Sequence, residues 1–240
     1  MADFKTHITV SSICGVVYSV AGYRAGVPWE TCVIAGGLCS VSGMLPDLDS
    51  DSGVPLREAV ALSSAVVPML LVDRLQRVGC THEMMVLITG LVYVFIRFGV
   101  AEFFRRYTVH RGMWHSIPAA ITSGMIAFML CSCENMSVRL FKSLAVVIGF
   151  MSHLVLDEMW SIDFKRGRYL FKSSSGMALK LWGKERIPNL TAYSIMICFA
   201  VLVYNDEGFM KRFGGHLDTT DTATQVVKDL WADTRSWLKR

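Results

Sequence analysis

Four short stretches of this sequence carry side chains able to hold a metal ion and to set up a hydrolysis. They are His7, the run PDLDSD at 46–51, the run HRGMWHS at 110–116 and the run SHLVLD at 152–157. Imidazole nitrogens together with carboxylate oxygens suit zinc, manganese or iron, and without a cysteine cluster the set does not read as a closed structural zinc site. An open, catalytic type of centre fits better. His153 and Asp157 are four residues apart, so one helix face offers both to one ion. Gly112 lets the chain bend between His110 and His115, which allows both rings to point back at one centre. Taken singly, such fragments are common: a His/Asp pair at this spacing is often a core contact, and Asp-x-Asp on a turn is often a cap or a solvated loop. Asp47, Asp49, Asp51 and Glu58 also match four positions of a calcium loop, but Ser52 stands where that loop requires glycine and the flanking segments are apolar. The metal reading therefore depends on whether the fold gathers the four stretches.

The elements that must do so are apolar. Of 240 residues, 52% are hydrophobic and 18% charged, with a mean hydropathy of +0.41, which places the chain among membrane proteins. The net charge of +4 is small, and no nucleic-acid partner is expected. Apolar segments run over 7–21, 29–45, 56–72, 84–104, 117–131, 140–156 and 190–204, separated by glycine and proline turns. The expected fold class is therefore all-α: a polytopic membrane bundle of six to seven helices. Several segments are nearer 15 to 17 residues than the ~20 a crossing needs, which suggests local thinning or partial burial. Pro68 lies inside one of them and should kink it.

No linker or repeat divides the chain, so residues 1–205 read as one membrane-embedded domain and 206–240 as a polar tail, in which 219–238 could form an amphipathic helix. The first segment reads as a retained helix, since no small-residue cleavage site follows it. The seven cysteines sit mostly in apolar runs without a CxxC pair, so a disulfide framework is not expected.

Alternating crossings then gather the candidate ligands. His7 opens the first segment, Asp47, Asp49 and Asp51 close the second, His110 and His115 follow the fourth, and His153 with Asp157 closes the sixth. All of them fall on one side of the bundle. Ionisable groups at a membrane boundary are costly and point to function. Lysines and arginines crowd the loops on that same side, as at Lys165, Arg166, Arg168, Lys172, Lys180 and Lys184, so the site should face the cytoplasm.

The order N-terminal histidine, PDLDSD, HRGMWHS and HLVLDE resembles the YdjM family of inner-membrane metal-dependent hydrolases over roughly residues 5–157. More remotely it is similar to the zinc-dependent phospholipase C and single-strand nuclease superfamily, helical enzymes that cleave phosphate esters. The resemblance implies a bacterial inner-membrane hydrolase acting on a phosphoester or a phospholipid. Carried over by motif, His7, Asp47, Asp49, His110, His115, His153 and Asp157 would be the metal ligands, with zinc the leading cofactor and manganese or iron the alternatives. Arg111 would support the ligands or clamp a phosphate, because its fork suits an oxyanion. A spare carboxylate, Asp49 or Asp51, would take a proton from the attacking water. Family members carry a Thr-x-x-Gly stretch and a Trp-Pro pair soon after the last motif. Here a basic insertion at 161–172 intervenes, and 173–183 looks like the displaced equivalent, so the departure falls on the substrate edge and not on the ligands. Two other classes compete. A transporter would carry ionisable residues through the membrane thickness, where only Arg97 and Glu102 are candidates, and a structural protein would use the metal merely to pin helix ends.

Overall fold

The computed structural model describes residues 3–49, 54–100, 102, 113–131, 135–165, 168–171, 179–183 and 185–213. Asp3 opens the first helix: its carboxylate accepts from the Thr6 N–H at 3.1 Å, satisfying one of the donors that a helix start leaves open, and α1 runs Phe4–Arg24. Gly26, in the left-handed region at φ +90°, turns the chain into α2 (Trp29–Ser42). A 3-10 turn at Leu45–Asp49 follows, then α3 (Val54–Arg77), which contains Pro68. Gly79, at φ +81°, makes the next reversal, and Thr81 caps α4 (His82–Val94), which runs on through a π-helical stretch, Phe95–Val100. Ser116 caps α5 (Ile117–Leu130) and Asn135 caps α6 (Met136–Trp160). Two short antiparallel strands, β1 (Ile162–Lys165) and β2 (Arg168–Phe171), pair Ile162 with Phe171 and Lys165 with Arg168. α7 (Arg186–Tyr204) and α8 (Glu207–Phe213) end the described chain.

The fold is an all-α bundle, and seven of its helices coincide with the seven apolar segments. The basic insertion folds back as the β1–β2 hairpin, the one β element among the described residues. The amphipathic helix expected at 219–238 lies outside the described residues.

Helix lengths decide between local thinning and partial burial. α1, α3 and α6 have 21, 24 and 25 residues, longer than their apolar windows, and at 1.5 Å per residue α6 spans about 37 Å. The short helices are α2 and α5, with 14 residues each and about 21 Å of length, less than the ~30 Å hydrocarbon layer. Both pack against α6 in the interior. Partial burial thus applies to these two.

Among the described residues, three helices are long and apolar enough to cross a membrane: His82–Gly99, Met136–Trp160 and Arg186–Tyr204. α4 buries none of its side chains; Met84, Leu87, Leu91, Phe95 and Phe98 all stand out from the protein. At about 25 cal/mol per Å² of apolar surface, such a row would be strongly unfavourable in water and is at home against lipid. The inner helices approach through small residues instead. A Cβ added at Gly149 of α6 would collide with the Cys39 carbonyl of α2, and one added at Gly43 would collide with the Ser11 side chain of α1. Close backbone approach through small residues is how helices associate where lipid is as apolar as their side chains.

At the end of the bundle remote from His153, Arg139 is buried at the start of α6. Its guanidinium donates to both carboxylate oxygens of Asp206, at 2.7 and 3.0 Å, and to the Phe128 carbonyl at 3.2 Å. It also lies 4.0 Å above the Phe128 ring. The forked pair ties the α7–α8 junction to α6. Arg139 holds the Asp206 carboxyl below its ordinary pKa. A depressed carboxyl contributes stability above its unfolded pKa of about 3.9 and loses it as pH falls through the lower folded value. Detergent-solubilised protein should therefore lose this increment only below about pH 4. Asp206→Asn should lower the thermal midpoint at neutral pH, by the equivalent of about 1–2 kcal/mol, and should flatten the acid limb. Thermal scans from pH 3 to 7 would show both effects.

Candidate metal centre

Four elements deliver the cluster, each by a local device. His7 sits in the first turn of α1, behind the Asp3 cap. Asp47 rides on the 3-10 turn that ends α2, where its N–H donates to the Met44 carbonyl at 3.2 Å. His115 lies in the bend just before the Ser116 cap of α5; the neighbouring Trp114 indole donates to the Leu45 carbonyl at 2.7 Å, and the Ile117 N–H donates to the Lys180 carbonyl at 3.2 Å. His153 and Asp157 project from one face of the last turns of α6. His7, His115, His153 and Asp157 are buried, at 2%, 3%, 0% and 6% exposure.

The rings and carboxylates meet closely. His7 Nε2 lies 3.2 Å from Asp157 Oδ1, His153 Nε2 lies 3.7 Å from Asp157 Oδ2 and 3.5 Å from Asp47 Oδ1, and His115 Nε2 lies 3.9 Å from Asp47 Oδ1. The His7 and His153 rings stack at 3.7 Å, 13° from parallel, and His115 meets His153 edge-on at 5.7 Å. His153 Nδ1 is 2.7 Å from the Gly43 carbonyl. Because a carbonyl only accepts, the proton belongs on Nδ1, and Nε2 presents a lone pair.

That lone pair faces two carboxylates. His153 Nε2 and both Asp157 oxygens are buried without a hydrogen bond of ordinary geometry, and so is His7 Nδ1. Acceptors turned towards acceptors in a buried site are unfavourable unless a cation lies between them. The spacings agree with this. Separations of 3.5 to 3.9 Å are too long for hydrogen bonds, whereas two atoms each ~2.1 Å from one ion at a tetrahedral angle stand ~3.4 Å apart. Two triads have ligand atoms all within 4.8 Å of one another, His7/Asp47/His153 and His115/His153/Asp157. They share His153, whose single lone pair can serve only one ion, so the five side chains would form one centre. The Gly43 contact is of the kind that orients a histidine for metal ligation and fixes its tautomer. The residues present thus fit a divalent ion.

Five of the residues singled out in the sequence are brought together: His7, Asp47, His115, His153 and Asp157. Asp49 lies in the same 3-10 turn as Asp47, but its side chain is outside the described residues, as are Asp51, His110 and Arg111. Two participants escaped the reading of the sequence. The Gly43 carbonyl could be found only by knowing that a glycine there lets α1, α2 and α6 close together. Trp114 carried a usable signal, an indole donor directly beside a candidate ligand. Trp114→Phe keeps the apolar contacts and removes the donor. By loosening the turn that carries Asp47, it should weaken metal retention in the proposed centre, with at most a small change in helical content. Metal titration beside circular dichroism would test this.

Together these features define a class: a polytopic α-helical membrane protein with a buried His/Asp cluster at one end of its bundle. A family model described as YdjM inner membrane protein matches residues 1–204, and the chain belongs to that family of inner-membrane proteins. No curated protein and no solved structure matches it.

Proposed function

We propose that this protein is a membrane-bound metal-dependent hydrolase that cleaves a phosphoester. The observation that carries the reading is the unsatisfied lone pair of His153 Nε2, set by its Nδ1–Gly43 bond to face Asp47 and Asp157. A bound divalent ion, with zinc the first choice, would supply Lewis acidity and bring the pKa of a water from ~15.7 towards ~7. The other parts are the chain's own. His7, His115, His153 and Asp157 are almost closed to solvent, whereas the Asp47 side chain retains 16% exposure, so water and substrate would approach past Asp47. As the resemblance implies, Asp49 or Asp51 would accept the proton and Arg111 would bind the phosphate oxygens. Trp114, Phe150 and Met44 pack on the apolar side of the site, which strengthens the field of every charge there. The basic residues on this end favour a cytoplasmic orientation.

Deep burial of four ligands also favours a second reading, in which the ion only pins four helix ends and performs no chemistry. The two part on one experiment. Protein purified in detergent is assayed for bound metal, then screened with zinc or manganese against soluble phosphomonoesters and phosphodiesters. Stoichiometric metal with turnover abolished in Asp157→Asn supports the hydrolase. Metal without turnover of any ester class supports the pin, and no metal in wild type defeats both.

A further inference from the structure

The substrate class is suggested by a cavity on the lipid side of the same site. α3 touches α2 and α5 only sparsely, and the wedge left between these helices and α6 is a cavity of about 200 Å³. Apart from three serines its lining is apolar. Its upper end is made by Ser42, Leu45 and Trp114, each within two residues of a group in the centre: Gly43, whose carbonyl orients His153, then Asp47 and His115. Its lower end lies among Val66, Leu70 and Ile126, and from Ser63 to Leu70 it follows α3 for about 10 Å. Those three residues are half-buried, so the wedge is accessible from outside the bundle, and the outer faces beside it carry the exposed Leu62, Met69 and Ile121. Such a neighbourhood is lipid, not water.

We propose, on the reading of the centre as a phosphoesterase, that this wedge holds an acyl chain and that the substrate is a phospholipid or lipid phosphate whose phosphate reaches the His/Asp cluster. An apolar slot in contact with the bilayer, leading to a cation site, matches the two ends of such a molecule: hydrocarbon below and anion above. Lys180, whose carbonyl holds the start of α5, and Lys5, in the first turn of α1, add positive charge at the headgroup end. Hydrolysis breaks one phosphate–oxygen bond, with water supplying hydroxyl to phosphorus and a proton to the departing oxygen, so no further reactant is required. Each methylene seated in the slot stabilises the complex by its transfer from water, and the slot's length limits how many count.

The test uses full-length, metal-loaded protein and a series of n-alkyl phosphates kept below their micellar concentrations. Expected is a kcat/KM that rises roughly two- to fourfold per added methylene and then levels off at the depth of the slot. Val66→Trp, which fills the slot, should bring the plateau to shorter chains, with a loss in kcat/KM that grows with chain length; Ser63→Leu is the milder version should the tryptophan variant fail to fold. Leu87→Trp, on the lipid face of α4, should change nothing. A chain-length-independent rate, or equal loss for all esters in both slot variants, overturns the proposal. A second arm requires no turnover: an alkyl phosphate with a terminal diazirine is irradiated with the protein and the labelled peptides are mapped. Saturable labelling of α3 and α5 around Val66 and Ile126 supports the slot even if no ester is hydrolysed, in which case only the phosphoesterase reading fails. Labelling confined to α4 and α7, or α3 joined instead to a second copy of the chain, overturns it.

Discussion

If the proposed metal centre is real, His153→Ala protein should purify with its helices intact but bind metal at least roughly 100-fold more weakly than wild type, a loss of about 2.7 kcal/mol or more. His153 has no exposed surface and is common to both ligand triads. Removing it takes away a ligand and also the Nδ1–Gly43 bond that ties α6 to the end of α2. What remains is a buried Asp157 whose closest partner is His7 at 3.2 Å. That pair can persist as an ordinary ion contact, so the variant should fold and lose metal without losing the bundle. Asp157→Asn should act through the other half of the centre, replacing a charged ligand with a neutral one. If the two act on the same ion, the double variant should lose no more metal affinity than the worse single variant, because residues of one site are strongly non-additive. Metal content by elemental analysis and isothermal titration of zinc into stripped protein would read this directly. Wild-type affinity in His153→Ala would refute the centre.

The gathering of the site was legible because it follows from alternation alone. Once seven apolar segments are recognised and taken as successive crossings, His7, the Asp47 turn, His115 and the end of α6 must share a side. Helix ends were less legible, for a physical reason: hydropathy clips a helix where its residues become polar, and those are the residues that function there. The window 140–156 lost Arg139 at one end and Asp157 at the other, yet both are buried in α6, one satisfied by Asp206 and the other by the cluster. Similarly, Arg74 and Arg139, which lie outside the apolar windows 56–72 and 140–156, are committed to internal bonds, Arg74 to the Met129 carbonyl at 2.7 Å. The apolar wedge was not legible, because it arises from the spacing between helices and no sequence motif encodes it. Nor was the β1–β2 hairpin, whose four-residue strands are too short for a period of two to stand out.

If the His/Asp cluster holds an ion as proposed, Gly149→Val should lower both stability and metal affinity, although residue 149 touches none of the five cluster side chains. Position 149 lies one helical turn before His153, on the face of α6 that meets α2. There an added Cβ meets the Cys39 carbonyl and the Ser42 hydroxyl at distances that real Cβ atoms do not occupy. The first obstacle is backbone, so no rotamer change relieves it; α6 must move away from α2. That motion lengthens the 2.7 Å contact between His153 and Gly43 and separates Asp157 from His7, since both partners of each contact lie on different helices. Overpacking of this kind costs about 1–3 kcal/mol and more where the backbone is the obstacle. A drop of at least about 3 kcal/mol is expected, with metal affinity falling alongside. Gly149→Ala should show the same two losses in smaller measure. Gly37→Ala is the control: it lies on α2 with open space around its Cβ, so it should be neutral or should stabilise by up to about 1 kcal/mol through helix propensity. Melting curves with and without chelator separate the two losses in Gly149→Val. If the variant melts low but keeps wild-type zinc affinity below its midpoint, the contact between α2 and α6 supports the bundle but does not set the geometry of the centre.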